Sequence, residues 1–184
     1  MSQSMRTIPH LKEVVKEREK IRVSSIGRDI GTKRADIRNI EHLRHEAKAH
    51  GFTLTVDEPP ERGGTHQGLD PLGYFVVGAA SCFLNQFARV IMIRDLKIDD
   101  LEITARAHYD MAKTRDFIDF IYDVRLKGSE SDENVKELLL EAERRCFTHR
   151  TLGKAIPMTS NVSLNGTLVT SHTVGPETAI PASA

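Results

Sequence analysis

The chain has 184 residues, 39% of them hydrophobic and 28% charged, with 26 lysines and arginines balancing 26 aspartates and glutamates. That is enough chain to bury one substantial core, and a formal net charge of zero lacks the basic excess on which nucleic-acid binding depends. No apolar run approaches the roughly 20 residues needed to span a bilayer, and the N-terminus lacks the apolar core of a signal peptide, so no membrane partner and a cytoplasmic location are expected. Two cysteines make a poor structural staple in a reducing compartment. They leave two readings, a pair of plain buried thiols or a transient, catalytic disulfide.

Pro9 to Ile21 is rich in helix formers, with Leu11, Val14, Val15 and Ile21 as a thin apolar stripe on a charged body, and predicts a surface helix with a solvated face. It lies in an extension, residues 1–36, suited to cover a groove or embrace a partner. His50-Gly51 is a turn signal, and the alternation in Phe52 to Val56 predicts a strand. The preceding segment from Arg38 is its antiparallel hairpin partner, although Glu46 to Ala49 also has helix propensity. Five prolines and glycines between Pro59 and Gly68 predict a loop over 58–69.

Asp70-Pro71 is a helix start: the carboxylate caps free N–H groups, and proline at the first helical position loses no hydrogen bond. Leu72, Phe75, Val76, Ala79, Phe83, Phe87 and Val90 then recur at helical spacing. Gly78 to Ser81 form a small-residue patch open to close approach, and Cys82 ends it. Leu101 to Tyr109 and Phe117 to Leu126 alternate and predict two strands joined through 110–116. Ser131 caps a helix with Asp132 and Glu133 in its first turn and Arg144 and Arg145 in its last, matching the helix dipole. Val135, Leu138, Leu139, Ala142 and Cys146 share its apolar face. Gly153 breaks the pattern, Asn161 to Val169 predict a last strand or hairpin, and a mobile tail is expected over 171–184. The order of elements predicts an α+β domain over 37–170, with antiparallel sheets against two central helices.

Cysteine is among the most buried residue types, so packing alone accounts for two cysteines on apolar helix faces. His149, three residues after Cys146, is expected to meet carbonyls at a helix end. His42, His45 and His50 do not stand at zinc-ligand spacing with the cysteines, and no metal is expected. Gly63-Gly64 lacks the surroundings of a phosphate loop, and no cofactor is expected.

The order Val56-Asp57-Glu58-Pro59, Gly63-Gly64, then Asp70-Pro71 running into the apolar helix with Cys82, and Cys146 64 residues later, resembles the OsmC/Ohr family of osmotically inducible and organic hydroperoxide resistance proteins over residues 40 to 170. The resemblance implies an intertwined homodimer in which Cys82 reduces an organic hydroperoxide, Cys146 resolves the product as a disulfide, and an external dithiol restores both. It also implies an arginine that lowers the pKa of Cys82, matched in position by Arg44, with Arg38 and Arg62 behind it. The peroxidases carry a glutamate where this chain has Leu72; Asp70, better placed as a helix cap, and Glu61 lie nearby. They also usually have a proline where this chain has Phe147. The alternative is a non-catalytic member of the same fold, binding an apolar ligand at the dimer groove.

Overall fold

A computed structural model describes residues 9–24 and 31–176. The elements run α1 (Pro9–Ser24), β1 (Asp36–Glu41), β2 (Arg44–Ala49), β3 (Phe52–Val56), a single 3₁₀ turn (Pro60–Arg62), α2 (Pro71–Arg94), β4 (Ile98–Tyr109), β5 (Phe117–Gly128), α3 (Asp132–Arg145), α4 (Phe147–Leu152), β6 (Met158–Leu164) and β7 (Thr167–Val174). They fall into two compact units. One ends at Gly78 and holds β1 to β3, the 3₁₀ turn and the opening of α2; the other holds α1 and everything from Ala79 onward.

The first unit is a three-stranded antiparallel meander, β1-β2-β3. His50 and Gly51 both take positive φ, 49° and 82°, as a tight hairpin turn requires. The helix propensity of Glu46 to Ala49 is overridden because β2 is the central strand, paired on both sides. β1 is a strand that the sequence pattern does not announce, since it is exposed along its whole length and lacks alternation. After β3, Asp57 is 1% exposed and organises the loop: its carboxylate accepts from the Thr65 hydroxyl at 2.6 Å, from the Gln67 N–H at 3.0 Å and from the Thr65 N–H. Those bonds, the Thr65 hydroxyl first, hold its pKa below the usual carboxylate range. The glycine pair is structural. Gly63 has φ 91°, and a Cβ on Gly64 would lie 1.8 Å from the Glu58 carbonyl oxygen.

Asp70 starts α2 as a cap, its Oδ1 accepting the Gly73 N–H at 2.9 Å. By length and composition α2 is apolar enough to cross a membrane, which corrects the expectation that no stretch qualifies. Its polar residues before Arg89 are uncharged, so the hydropathy is not interrupted. Its later part packs into the core of the second unit, where Phe83, Phe87 and Val90 are fully buried.

In the second unit the strand order is β4-β5-β6-β7. β5 and β6 run parallel, because α3 and α4 carry the chain back across the sheet, and the other pairs are antiparallel. The fold is α+β with one mixed sheet. Phe120, Tyr122, Val124 and Leu126 alternate along β5 as its buried set. They share the core with Val135, Leu138, Leu139 and Ala142 of α3 and with Phe83, whose ring lies 5.0 Å from that of Tyr122. Ser131 caps α3 through the Asn134 N–H. Asn165-Gly166, with φ 50° and 86°, turns β6 into β7. β7 continues to Val174, with Ser171 to Val174 paired to Met158 to Asn161, so the chain is still in the sheet where a tail was expected to begin.

The charges of α1 are not simply solvated. Lys12 and Lys16 both pair with Asp95, Lys16 at 2.8 Å, and the two hold that carboxylate at about 2; Glu19 pairs with Arg145. The rest of the extension, residues 1–8 and 25–30, and the end of the tail, residues 177–184, lie outside the described residues.

Candidate active site

Cys82 is half-buried in the middle of α2, and Cys146 is fully buried. The periodicity puts Cys146 on the apolar face of α3; in the structure it sits just beyond that helix, with φ −81° and ψ 120°, closing α3 and opening α4. It caps α4 through its sulfur, which accepts the His149 N–H at 3.5 Å. The two Sγ atoms are 3.6 Å apart, and the Cys146 thiol donates to Cys82. Thr148 ties the arrangement together: its Oγ1 lies 3.2 Å from Cys146 Sγ and 3.3 Å from the Ala79 carbonyl oxygen on α2, so its one proton is within reach of the sulfurs as well as the carbonyl. Ala79 belongs to the small-residue patch, which is what lets the start of α4 approach the α2 backbone.

The two thiols are driven in opposite directions. Burial pushes the Cys82 pKa up, but the donors gathered at its sulfur, the Thr148 N–H and hydroxyl first and then the Cys146 thiol and the Phe147 N–H, outweigh it and bring it net below the ordinary thiol value. Burial pushes Cys146 up; the Thr148 hydroxyl and His149 N–H oppose this, the neighbouring Cys82 adds to it, and the net is upward. Of the pair, Cys82 is therefore the more acidic thiol and Cys146 the one that keeps its proton.

Thr148→Val keeps the shape and removes one donor. Alkylation of Cys82 at neutral pH is expected to slow by roughly fivefold, the equivalent of one hydrogen bond of about 1 kcal/mol. Because only the thiolate reacts, its rate-against-pH curve moves to higher pH. An unchanged curve would remove Thr148 from the account.

Arg44, at the start of β2, is the most enclosed of the three candidate arginines. Its side chain is 22% exposed, against 70% for Arg38 and 42% for Arg62. Its guanidinium donates to Gln67 Oε1 at 2.7 Å and pairs with Glu41 Oε1 at 2.8 Å. Arg38 pairs with Glu46, and Arg62 lies 3.6 Å from Glu58. Leu72 is 38% exposed.

His149 does not meet carbonyls at a helix end. It is 1% exposed, its ring 4.8 Å from Phe83 and its Nε2 3.5 Å from the Ser160 hydroxyl. The unpredicted helix α4 turns it inward. Burial, helped by His172, lowers its pKa to about 4, so it is neutral at physiological pH. No group of three histidines, cysteines or carboxylates is placed to hold a metal among the described residues. Thr148 and Tyr122 were not singled out by sequence. For Thr148 the available signal was Cys146-Phe147-Thr148-His149 read as a helix start with cysteine as its cap.

The profile of the OsmC-like protein family matches residues 64–161. No curated protein sequence gives a significant match. Among solved structures, an OsmC-like protein from Mycoplasma pneumoniae superposes with a TM-score of 0.66 at 18% identity, covering 73% of this chain and 97% of that one. An organic hydroperoxide resistance protein from Elizabethkingia anophelis gives 0.63 at 20% identity, covering 76% and 100%. One from Legionella pneumophila, described as an organic hydroperoxide resistance protein OsmC, gives 0.59 at 16% identity, covering 74% and 98%. These identities speak for the fold, and the profile, spanning more than half of the chain, speaks for descent: the protein belongs to the OsmC-like family.

Proposed function

We propose that the chain is a thiol-dependent peroxidase that reduces organic hydroperoxides. The observation that carries this reading is the pair of free thiols 3.6 Å apart with oppositely displaced pKa values. In the first step the Cys82 thiolate attacks the distal oxygen of ROOH. An S–O bond forms as the O–O bond breaks, sulfur loses two electrons, and the departing alkoxide takes a proton to become the alcohol. In the second, Cys146 displaces hydroxide from the Cys82 sulfenic acid, its thiol proton completing a water molecule, and a disulfide results. An external dithiol returns both cysteines to thiols by exchange. The helix that carries Cys82 is apolar over most of its length, which suits a fatty or aryl peroxide better than hydrogen peroxide.

The family's arginine is assigned to Arg44. Leu72 cannot hold it as the family's glutamate does; Glu41, across the β1–β2 turn, supplies the carboxylate that pairs with it in this chain. A homodimer in the cytoplasm completes the reading. Ile37 and Phe52 on the three-stranded sheet, 67% and 73% exposed, and Phe147, 82% exposed, are apolar surface of the kind a second copy covers. The test is purified protein supplied with cumene hydroperoxide and a dithiol reductant. Turnover is expected; inert protein would favour a non-catalytic, ligand-binding member, which the loss of the glutamate at Leu72 would then explain.

A further inference from the structure

Among the described residues, three buried side-chain atoms make no hydrogen bond: Glu58 Oε2, Glu143 Oε1 and Tyr122 Oη. The two carboxylate oxygens have a guanidinium (Arg62) at 3.6 Å and an imidazole (His149) at 3.7 Å. The third is the only donor, and it belongs to a fully buried tyrosine. Tyr122 stands on β5 with its ring 5.0 Å from Phe83, the residue after Cys82, and 6.1 Å from His149, whose backbone N–H bonds Cys146. Its other ring neighbour is Phe120.

A phenylalanine would fill this aromatic cluster equally well and would spare the fold an unpaired hydroxyl, which ordinarily costs about 1–3 kcal/mol. Buried polar groups left unpaired are rare enough to need a reason. Burial pushes the pKa of the phenol up, and the thiols of Cys146 and Cys82 push it further, so the group stays protonated and can only be a donor or a neutral acceptor. The resting thiol pair holds no oxygen; the reaction puts one there.

Resting on the peroxidase reading above, we propose that the Tyr122 hydroxyl is the hydrogen-bond donor for the oxygen that Cys82 takes from the peroxide. As the O–O bond breaks, the negative charge leaves on the alkoxide, and the oxygen now bonded to sulfur is a new hydrogen-bond acceptor beside the thiols. A buried, preorganised donor stabilises it with no reorganisation at the moment of transfer. Once the sulfenic acid is formed, the same bond holds its oxygen until Cys146 attacks the sulfur. Tyr122 is thus kept unpaired in the reduced enzyme and paired in the oxidised one.

The experiment compares wild type with Tyr122→Phe in two reactions of Cys82: single-turnover consumption of cumene hydroperoxide, and alkylation by iodoacetamide, which transfers no oxygen. The expected result is a loss of roughly tenfold or more in the peroxide rate, an alkylation rate within about twofold of wild type, and a melting temperature equal to or above it. Equal losses in both reactions, or a lowered melting temperature, would make the hydroxyl structural and overturn the proposal. A reactive wild type and an undiminished Tyr122→Phe peroxide rate would overturn the role of the hydroxyl alone. A wild type inert to the peroxide would overturn the functional reading and this proposal with it.

Discussion

Cys82→Ser is expected to lose peroxide turnover by on the order of 10³-fold or more, because it removes the nucleophile through which every later step passes. Serine keeps the size of the side chain, but its hydroxyl is not ionised at neutral pH, and no donor set at the start of α4 makes it so. Cys146→Ser should behave differently. The first equivalent of peroxide is still consumed, leaving a sulfenic acid on Cys82 that dimedone can trap, while steady turnover with a dithiol falls because no internal disulfide can form. The asymmetry between the two variants follows from the opposed pKa displacements. A Cys146→Ser protein that loses the first turnover as completely as Cys82→Ser would contradict the assignment of nucleophile and resolver.

The largest expected effect on stability is Phe83→Ala. The ring is fully buried and lies 5.1 Å from Phe87, 5.0 Å from Tyr122 and 4.8 Å from His149, so it joins α2, the sheet and α4. Truncation forfeits the transfer energy of the ring and leaves a cavity that the neighbouring rings cannot close, costing about 3–5 kcal/mol. That is a large part of the 5–15 kcal/mol or so that holds an ordinary domain folded. Denaturant unfolding should show a lower midpoint with an unchanged slope, and Phe83→Leu should recover most of the loss. A cost under about 1 kcal/mol for the alanine variant would mean that the ring is not packed as described.

The elements that carry the cysteines differ in how far the sequence exposes them. α2 is legible because its start is written locally, in Asp70 and Pro71, and its core face recurs at helical spacing. β5 is equally local, in the alternation from Phe117, whereas Asn161 to Val169 leave strand and hairpin open until Asn165-Gly166 is seen to turn β6 into β7. β1 is not, because a strand exposed throughout has no buried face to impose a pattern on it. α4 escapes for a different reason. Phe147 to Leu152 contains two threonines and a histidine, residues of modest helix propensity, and the helix is held by a cap and by tertiary contact more than by preference. The parallel pairing of β5 with β6 is a long-range choice that no local run records. The two cysteines stood out on the resemblance. The neighbours proposed to tune them did not, because the contact of Thr148 exists only where α4 meets the Ala79 carbonyl, and Tyr122 is marked only by a hydroxyl without a partner.

On the proposed mechanism one hydroperoxide molecule oxidises one pair of sulfurs within one chain. Reduced protein treated with a single equivalent of cumene hydroperoxide, alkylated, digested and weighed by mass spectrometry addresses it directly. The expected product is a peptide pair joined through Cys82 and Cys146, lighter by two hydrogens than the separate thiols. Two alkylated cysteines, or cross-links between chains in place of that pair, would contradict it.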